Sequence, residues 1–477
     1  MNILFLQKPF FMEPLGVMYL SSSLKQGGHK VDIITTDEDV SQKIKEYKPQ
    51  IIASSVMTGD HQMYSETIKK IKTEFPEVTF VAGGPHPTFF PAYLKESSFD
   101  AIGRGECESA FNEFCTTLEK GDDISQVKNF WIKNKGGEII KNNVRPLEND
   151  LDSLPFPDRD LARKYAIISQ TPILHFLSSR GCPFDCSYCF NHSFSKLYRD
   201  ESGLTKQVRF RGVENLVREI EEAISDFPTS FVYFQDDTFI LNQKKVNQFA
   251  DKYPSKVGLP FHVHVRANLI NPSLVSTLRD AGCYSVHMAA ETANDEIRNK
   301  LLRRNMTKDQ IISASHEIKK SGIKLMLQNM IGLPDSTLDD DLETVRLNQQ
   351  CKPDCSWVSI FQPYPGTWLG DYCKNKGLYD GNFSDLDSGF FDKSVLNFPD
   401  ERKKQLANLQ KLFGLMVENP WLLDPEIYGG ILSAEHDQVG QFLQDVFRGY
   451  RKKTDIDLYG FELPTSSHMK VKSLDGK

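Results

Sequence analysis

No run of about 20 apolar residues occurs anywhere in the 477-residue chain, so no segment is long enough to span a membrane as a helix. Basic charge is not in excess. The 57 lysines and arginines against 64 aspartates and glutamates leave a formal charge of −7, which gives no general pull toward nucleic acid. Neither a membrane nor nucleic acid is therefore expected as a partner. No Gly-x-Gly-x-x-Gly opens the first predicted helix, which argues against a dinucleotide. No internal repeat is found. Cysteine is sparse, nine residues in all, mostly without a pairing pattern. Met1–Pro9 reads as a short strand interrupted by proline rather than a secretory segment, so disulfides are not expected and a reducing cytoplasm is.

Three of the nine cysteines stand together in Ser178-Ser-Arg-Gly-Cys182-Pro-Phe-Asp-Cys186-Ser-Tyr-Cys189, a C-x3-C-x2-C spacing in a glycine-led loop. Three thiolates cannot complete a four-cysteine cluster or zinc site, and an iron–sulfur cluster held by three keeps one iron open. Core cysteines or a partial zinc site are the bland alternatives. His192 follows Cys189 at a spacing no common zinc motif uses. The run resembles the signature of radical S-adenosylmethionine (SAM) enzymes. That resemblance implies a [4Fe–4S] cluster on Cys182, Cys186 and Cys189, with SAM bound at the open iron and cleaved to a 5′-deoxyadenosyl radical by one electron. It also places Tyr188, the aromatic before the third cysteine, against the adenine; its alternative is a core aromatic.

The chain is long enough for two or three domains. Strand and helix patterns alternate over the first ~120 residues, as in an open parallel sheet. A hairpin is predicted over Val127–Ile140, turning at Lys135-Gly136-Gly137. The predicted organisation is α/β throughout. Residues 1–145 form a Rossmann-like domain, 146–168 a proline-bearing linker and 169–380 a partial (βα)6 barrel. Residues 381–477 form a helical region that helps shape or cover the pocket and ends in a polar, mobile tail from Ser466. Barrel strands are predicted at 173–178, 230–235, 261–266, 284–290, 323–331 and 356–361.

Ligands in open α/β sheets bind beyond the carboxyl ends of the strands. Those loops here hold Leu15 and Gly16 after the first strand, and Ser54, Ser55 and Met57 after the third. Gly83, Gly84 and His86 follow the fourth, and Gly103, Gly105 and Glu106 the fifth. Glycines let backbone approach a large flat ligand and leave amides free to bond it. The loops resemble those of the cobalamin-binding domain that precedes the radical SAM core in one large subfamily, with Gly83-Gly84 matching its paired glycines. One departure is clear. The first loop reads Lys8-Pro-Phe-Phe-Met-Glu-Pro-Leu-Gly and carries no Asp-x-His-x-x-Gly, so no imidazole from it can ligate cobalt. The alternative is a generic Rossmann-like domain, and His86 alone would be structural.

Barrel enzymes work at the carboxyl ends of their strands. Asp236 and Asp237 follow the second predicted strand, Arg266 the third, Glu291 the fourth, Asn329 and Gly332 the fifth and Tyr364 the sixth. The resemblance sets Arg266 and Glu291 near the SAM ribose and carboxylate, and Asn329 and Gly332 at the adenine. Asp236 and Asp237 would hold SAM or substrate or act as a base, with Tyr364 a further catalytic candidate. An Asp-Asp pair is as readily a helix cap, and Glu291 could pair with Arg298 or Arg303. Cys351, Cys355, Phe390, Phe391 and Trp421 read as core.

The resemblance covers residues 1–370. It implies a cobalamin-dependent methyltransferase acting on an unactivated carbon or phosphorus of a small molecule. A low-potential donor such as flavodoxin or ferredoxin would supply electrons. A non-methylating radical cyclase resembling the anaerobic Mg-protoporphyrin enzyme is the alternative, and a cobalamin sensor or carrier a weaker one.

Overall fold

Ile3–Leu6 are buried on both faces, as a central parallel strand requires, and they form β1 (Asn2–Gln7) of a computed structural model that describes residues 1–134, 136–203, 208–386 and 389–463. β2 (Lys30–Thr35), β3 (Ile51–Ser55), β4 (Thr79–Gly83) and β5 (Ala101–Gly103) join it in parallel, in the order β2-β1-β3-β4-β5. The order reverses between β1 and β3, which opens a crevice above their carboxyl ends. The predicted hairpin is β6 (Phe130–Lys133) and β7 (Ile139–Lys141), paired antiparallel to each other, with β6 also antiparallel to β5. The sheet is therefore mixed, because a tight hairpin can join strands only antiparallel. Lys135 of its turn and the 466–477 tail lie outside the described residues.

The segment read as a linker is packed in. Arg159 lies buried between Glu13, in the first loop of the N-terminal sheet, and Glu219, on the helix Val213–Asp226 of the barrel, at 2.8 and 2.9 Å. Burial alone would raise the Glu13 carboxyl; Arg159 and His175 instead hold it at about 2. Exposed ion pairs contribute little, but a buried charge left without its partner is strongly destabilising.

Six parallel strands then run in sequence order: β8 (Ile173–Phe176), β11 (Phe231–Phe234), β12 (Phe261–Val265), β13 (Cys283–Glu291), β14 (Lys324–Ile331) and β15 (Cys355–Ile360). A short antiparallel ribbon, β9 (Ser179–Arg180) with β10 (Arg209–Phe210), brackets the cysteine loop. Alternate residues such as Phe234, Val263, Met288 and Leu327 face outward into the apolar core under the helices. The intervening positions turn polar groups into the barrel.

The helix Asp400–Glu418 packs on β15 through Leu406, Leu409 and Phe413. The helix His436–Tyr459 crosses the amino-terminal mouth, where the Ser285 hydroxyl donates to Leu458 O at 2.7 Å and Ser356 N donates to the Tyr450 hydroxyl at 2.9 Å. This region closes the barrel end opposite the cysteine loop. Trp421, read as core, is 62% exposed. No helix among the described residues is long and apolar enough to cross a membrane.

Candidate active site between two domains

The cysteine loop is shaped locally. Gly181 takes a φ of +89°, a left-handed turn that only glycine adopts freely. A turn from Cys186 O to Cys189 N, 3.1 Å, then brings the second and third thiols to one side. Cys189 caps the helix Phe190–Ser202, and its sulfur accepts from Asn191 N at 3.5 Å, so helix-end amides face that thiol. Arg266 Nη1 donates to Cys186 Sγ at 3.6 Å. None of the nine cysteines is in a disulfide. Burial pushes the Cys182 thiol up and the Cys189 thiol to about 12, with the neighbouring sulfurs adding to it. A cation that deprotonates clustered thiols outright suits this donor set, and the three cysteines fit a cluster.

The two adjacent aspartates separate into different settings. Asp236 is wholly buried and accepts three hydrogen bonds, from Ser178 N (2.9 Å), Ser178 Oγ (2.6 Å) and Ser179 Oγ (2.5 Å). It fastens the end of β11 to the strand that launches the cysteine loop. Burial raises its carboxyl even so. Asp237 points the other way and lines the main cavity.

Tyr188, in the cysteine loop, forms a closed triad with Glu291 and Arg304. The Tyr188 hydroxyl donates to Glu291 Oε1 at 2.6 Å, and Arg304 Nη1 reaches Tyr188 at 2.6 Å and Glu291 at 3.1 Å. Glu291 sits at a register shift ending β13 with φ +69°, a strained conformation for a glutamate, and its Oε2 is buried without a partner. An orphaned carboxylate oxygen held beside the cluster loop fits a ligand rich in donors, such as SAM. Arg266 stacks on Phe184 at 3.8 Å and bonds the Arg304 carbonyl. Arg304 was missed in the sequence because it lies in an irregular loop with no motif. The partners first considered for Glu291 are engaged elsewhere. Arg298 bonds Thr292 O and Met306 O, and Arg303 stacks on Trp368.

Two other rim residues are not brought to this triad. Asn329 Nδ2 is committed to Leu327 O, Asn348 Oδ1 and Trp357 O, each at 3.1 Å. Gly332 donates its N–H to Asp341, and a Cβ there would meet Leu406 at 2.8 Å. Tyr364 packs tilted against Phe190, with ring centroids 5.6 Å apart, and Phe190 stacks on Phe89 of the N-terminal domain.

A cavity of about 430 Å³ joins the domains. Its N-terminal wall is the predicted loop set: Gly16, then Ser54 and Ser55, then Gly83 and Gly84, then Gly103, Gly105 and Glu106. Phe111 and Phe130 floor it, and Arg180, Gly181, Asn191 and Asp237 close the barrel side. Ser54 Oγ is buried there without a partner, and Gly84 (φ +92°) leaves no room for a Cβ, which would meet Ser55 and Val56 at 2.9 Å. A glycine-lined, partly apolar cleft with an unanswered hydroxyl fits a large flat ligand carrying amides. Leu15, Met57 and His86 do not line it. His86 is buried, stacks on His61 at 4.3 Å and bonds Thr58 at 2.9 Å, and burial lowers it to about 3. The first loop exposes Phe11 and Met12 and supplies no imidazole.

Charge holds the two walls together. Arg180 pairs with Glu106 at 3.2 Å and Glu108 at 2.7 Å, and Arg209 with Glu106 at 2.5 Å.

A parallel barrel with three thiols at its mouth, opening into a Rossmann-like cleft, defines a radical SAM core joined to a corrinoid domain. The radical SAM superfamily profile matches residues 176–347, and that of the B12 binding domain matches residues 1–115. The chain belongs to the radical SAM superfamily, in the group whose core follows a B12 binding domain. Its cofactors are accordingly a [4Fe–4S] cluster, SAM and cobalamin. An uncharacterised methyltransferase of Pyrococcus horikoshii is 30% identical over 373 residues, covering 75% of this chain and 78% of its own. The anaerobic magnesium-protoporphyrin IX monomethyl ester cyclase of Rubrivivax gelatinosus is 27% identical over 448 residues, 84% of this chain and 78% of the cyclase. The fold is shared with the radical SAM methyltransferase TsrM of Kitasatospora setae, solved with cobalamin and its cluster. The TM-score is 0.65 at 14% identity, over 94% of this chain and 99% of that one.

Proposed function

We propose that this protein is a cobalamin-dependent radical SAM methyltransferase that moves a methyl group to an unactivated carbon, or phosphorus, of a small molecule. The observation that carries the reading is the shared cavity. Gly83 and Gly84 of the B12 domain and Gly181, Asn191 and Asp237 of the barrel line one space, and Gly181 directly precedes Cys182, so a substrate there would lie between the glycine loops that would hold cobalamin and the loop that would hold the cluster. When bound, the cluster and SAM supply radical initiation and cobalamin supplies a methyl carrier. The chain's own part is positioning. Cys182, Cys186 and Cys189 would hold the cluster, and Asp236 fixes their loop. The Tyr188–Glu291–Arg304 triad and Arg266 would hold SAM. Asp237, facing the cavity, is the group placed to orient substrate or take a proton. The domain-bridging ion pairs of Arg180 and Arg209 with Glu106 and Glu108 tie the two walls of the cleft together. A low-potential donor such as flavodoxin or ferredoxin in a reducing cytoplasm completes the proposal.

A second reading follows from the cyclase relative, whose similarity spans 84% of the chain: radical oxidation and ring closure without methyl transfer. The anaerobically reconstituted protein, given SAM, cobalamin and a strong reductant, separates the two. Both S-adenosylhomocysteine and 5′-deoxyadenosine are expected for methylation. Deoxyadenosine alone would favour the cyclase reading, and neither product would overturn both.

A further inference from the structure

The interior of the barrel carries a group of side chains that the proposed chemistry does not use. Inward positions of β12 and β13 place His262, His264 and His287 together, with His264 opposite His287 and His262 opposite Ser285 in the strand register. Ring centroids lie 4.9 Å apart for His264 and His287 and 5.8 Å apart for His262 and His264. One ring nitrogen from each lies within 4.8 Å of the other two. We propose that these three imidazoles form a second metal site, distinct from the cysteine loop, that takes a divalent first-row cation such as Zn²⁺.

The hydrogen bonds around the rings decide where their lone pairs point. Ser285 Oγ gives its only hydrogen to Leu458 O at 2.7 Å, so at 2.7 Å from His262 Nδ1 it must accept. His262 is therefore protonated at Nδ1 and bare at Nε2. That Nε2 is buried and has no partner, on a residue only 1% exposed. His287 Nε2 faces Gln328 Oε1 at 2.5 Å and donates to it, which frees Nδ1. His264 bonds the Asp236 backbone carbonyl, an acceptor, and its Nε2 meets the Tyr233 hydroxyl at 2.9 Å. Each ring is thus set in one tautomer by an outer partner, the arrangement found around metal-ligating histidines. Burial disfavours protonation of all three, which keeps them in the ligand form.

Three neutral nitrogens with no carboxylate suit zinc and its neighbours rather than calcium or magnesium. Three protein ligands leave a coordination position for solvent or a small molecule. Bonds of about 2.0–2.1 Å bring tetrahedral nitrogens to roughly 3.3 Å apart, so the rings must close by about an ångström or more, and the Tyr233 hydroxyl must leave His264. The ion would tie β12 to β13 beneath Arg266 and Glu291, two of the residues that would hold SAM in the proposed function. Arg266 is two residues beyond His264, a distance of about 7 Å along the strand.

The test uses the full chain with its cluster and cobalamin reconstituted, treated with chelator, mixed with Zn²⁺ and desalted. About one zinc per chain is expected beyond the cluster iron, with X-ray absorption at the zinc edge showing nitrogen and oxygen neighbours at about 2.0–2.1 Å and no sulfur. His262→Gln and His287→Gln should each lower zinc retention at least tenfold while cluster iron and bound cobalamin stay unchanged. Ser285→Ala should weaken zinc binding by about 10–100-fold as an outer-partner effect. Should either glutamine variant fail to fold, the wild-type absorption spectrum and the serine variant still decide. No zinc retained by the wild type, sulfur in the zinc shell, or equal zinc in the folded variants would overturn the site.

Discussion

Asp236 and Asp237 are neighbours in the chain with opposite tasks. Asp236→Ala removes the acceptor of three buried hydrogen bonds. It should lower stability by about 2–3 kcal/mol in urea denaturation, and should loosen the cluster as read by iron content. Asp237→Asn should leave stability within about 0.5 kcal/mol of wild type, since it satisfies no such network, while methylation falls sharply. Cys186→Ala should abolish the cluster's visible absorbance, and retention of full iron would refute the ligand assignment. His86 gives a pH signature. Its folded value of about 3 lies below the unfolded 6.5 because burial opposes its charge. Its contribution is complete above about pH 6.5 and is lost as pH falls toward 3, amounting to roughly 2 kcal/mol by pH 5. Melts of wild type and His86→Gln at about pH 7.5 and pH 5 should therefore differ in their pH dependence by that amount.

At the scale of elements, the loop after β5 decides whether the B12 domain meets the barrel. Gly105 has φ +72°, and a Cβ there would lie 2.1 Å from the hydroxyl of Tyr198 on the helix that follows the cysteines. That hydroxyl accepts the Glu106 N–H at 2.8 Å. Gly105→Ala should push the helix off the loop and weaken cobalamin binding about tenfold or more by equilibrium dialysis, with cluster iron retained. The barrel strands were readable from the sequence: apolar runs bounded by glycine and proline gave all six to within a residue or two. The shift before Glu291 was not readable, because a bulge is fixed by pairing with β14 rather than by the residues at the bend.

The whole molecule is held across its domains by charge. Arg159 bridges Glu13 and Glu219, and Arg211 also pairs with Glu219, all of them buried. Arg159→Met would leave buried Glu13 without its arginine and Glu219 with Arg211 alone, so a loss of about 3–5 kcal/mol is expected. Adding Glu13→Gln should recover part of it, and calorimetry of the single and double variants measures the coupling. The segment holding Arg159 reads as a linker from its prolines. Only the folded chain shows that it wedges between the sheet and the barrel.

The cysteine spacing, the glycine-bearing loops and the alternation of strands and helices were settled by the sequence alone, because each depends on residues close together in the chain. Which side chains meet was settled by the tertiary structure. Arg304 reaches Glu291 through an irregular loop, Asp236 and Asp237 diverge because successive residues at a strand end face opposite sides, and three histidines converge because β12 lies beside β13 with its inward positions in register. Such contacts arise from strand neighbours and side-chain direction, which no local pattern encodes.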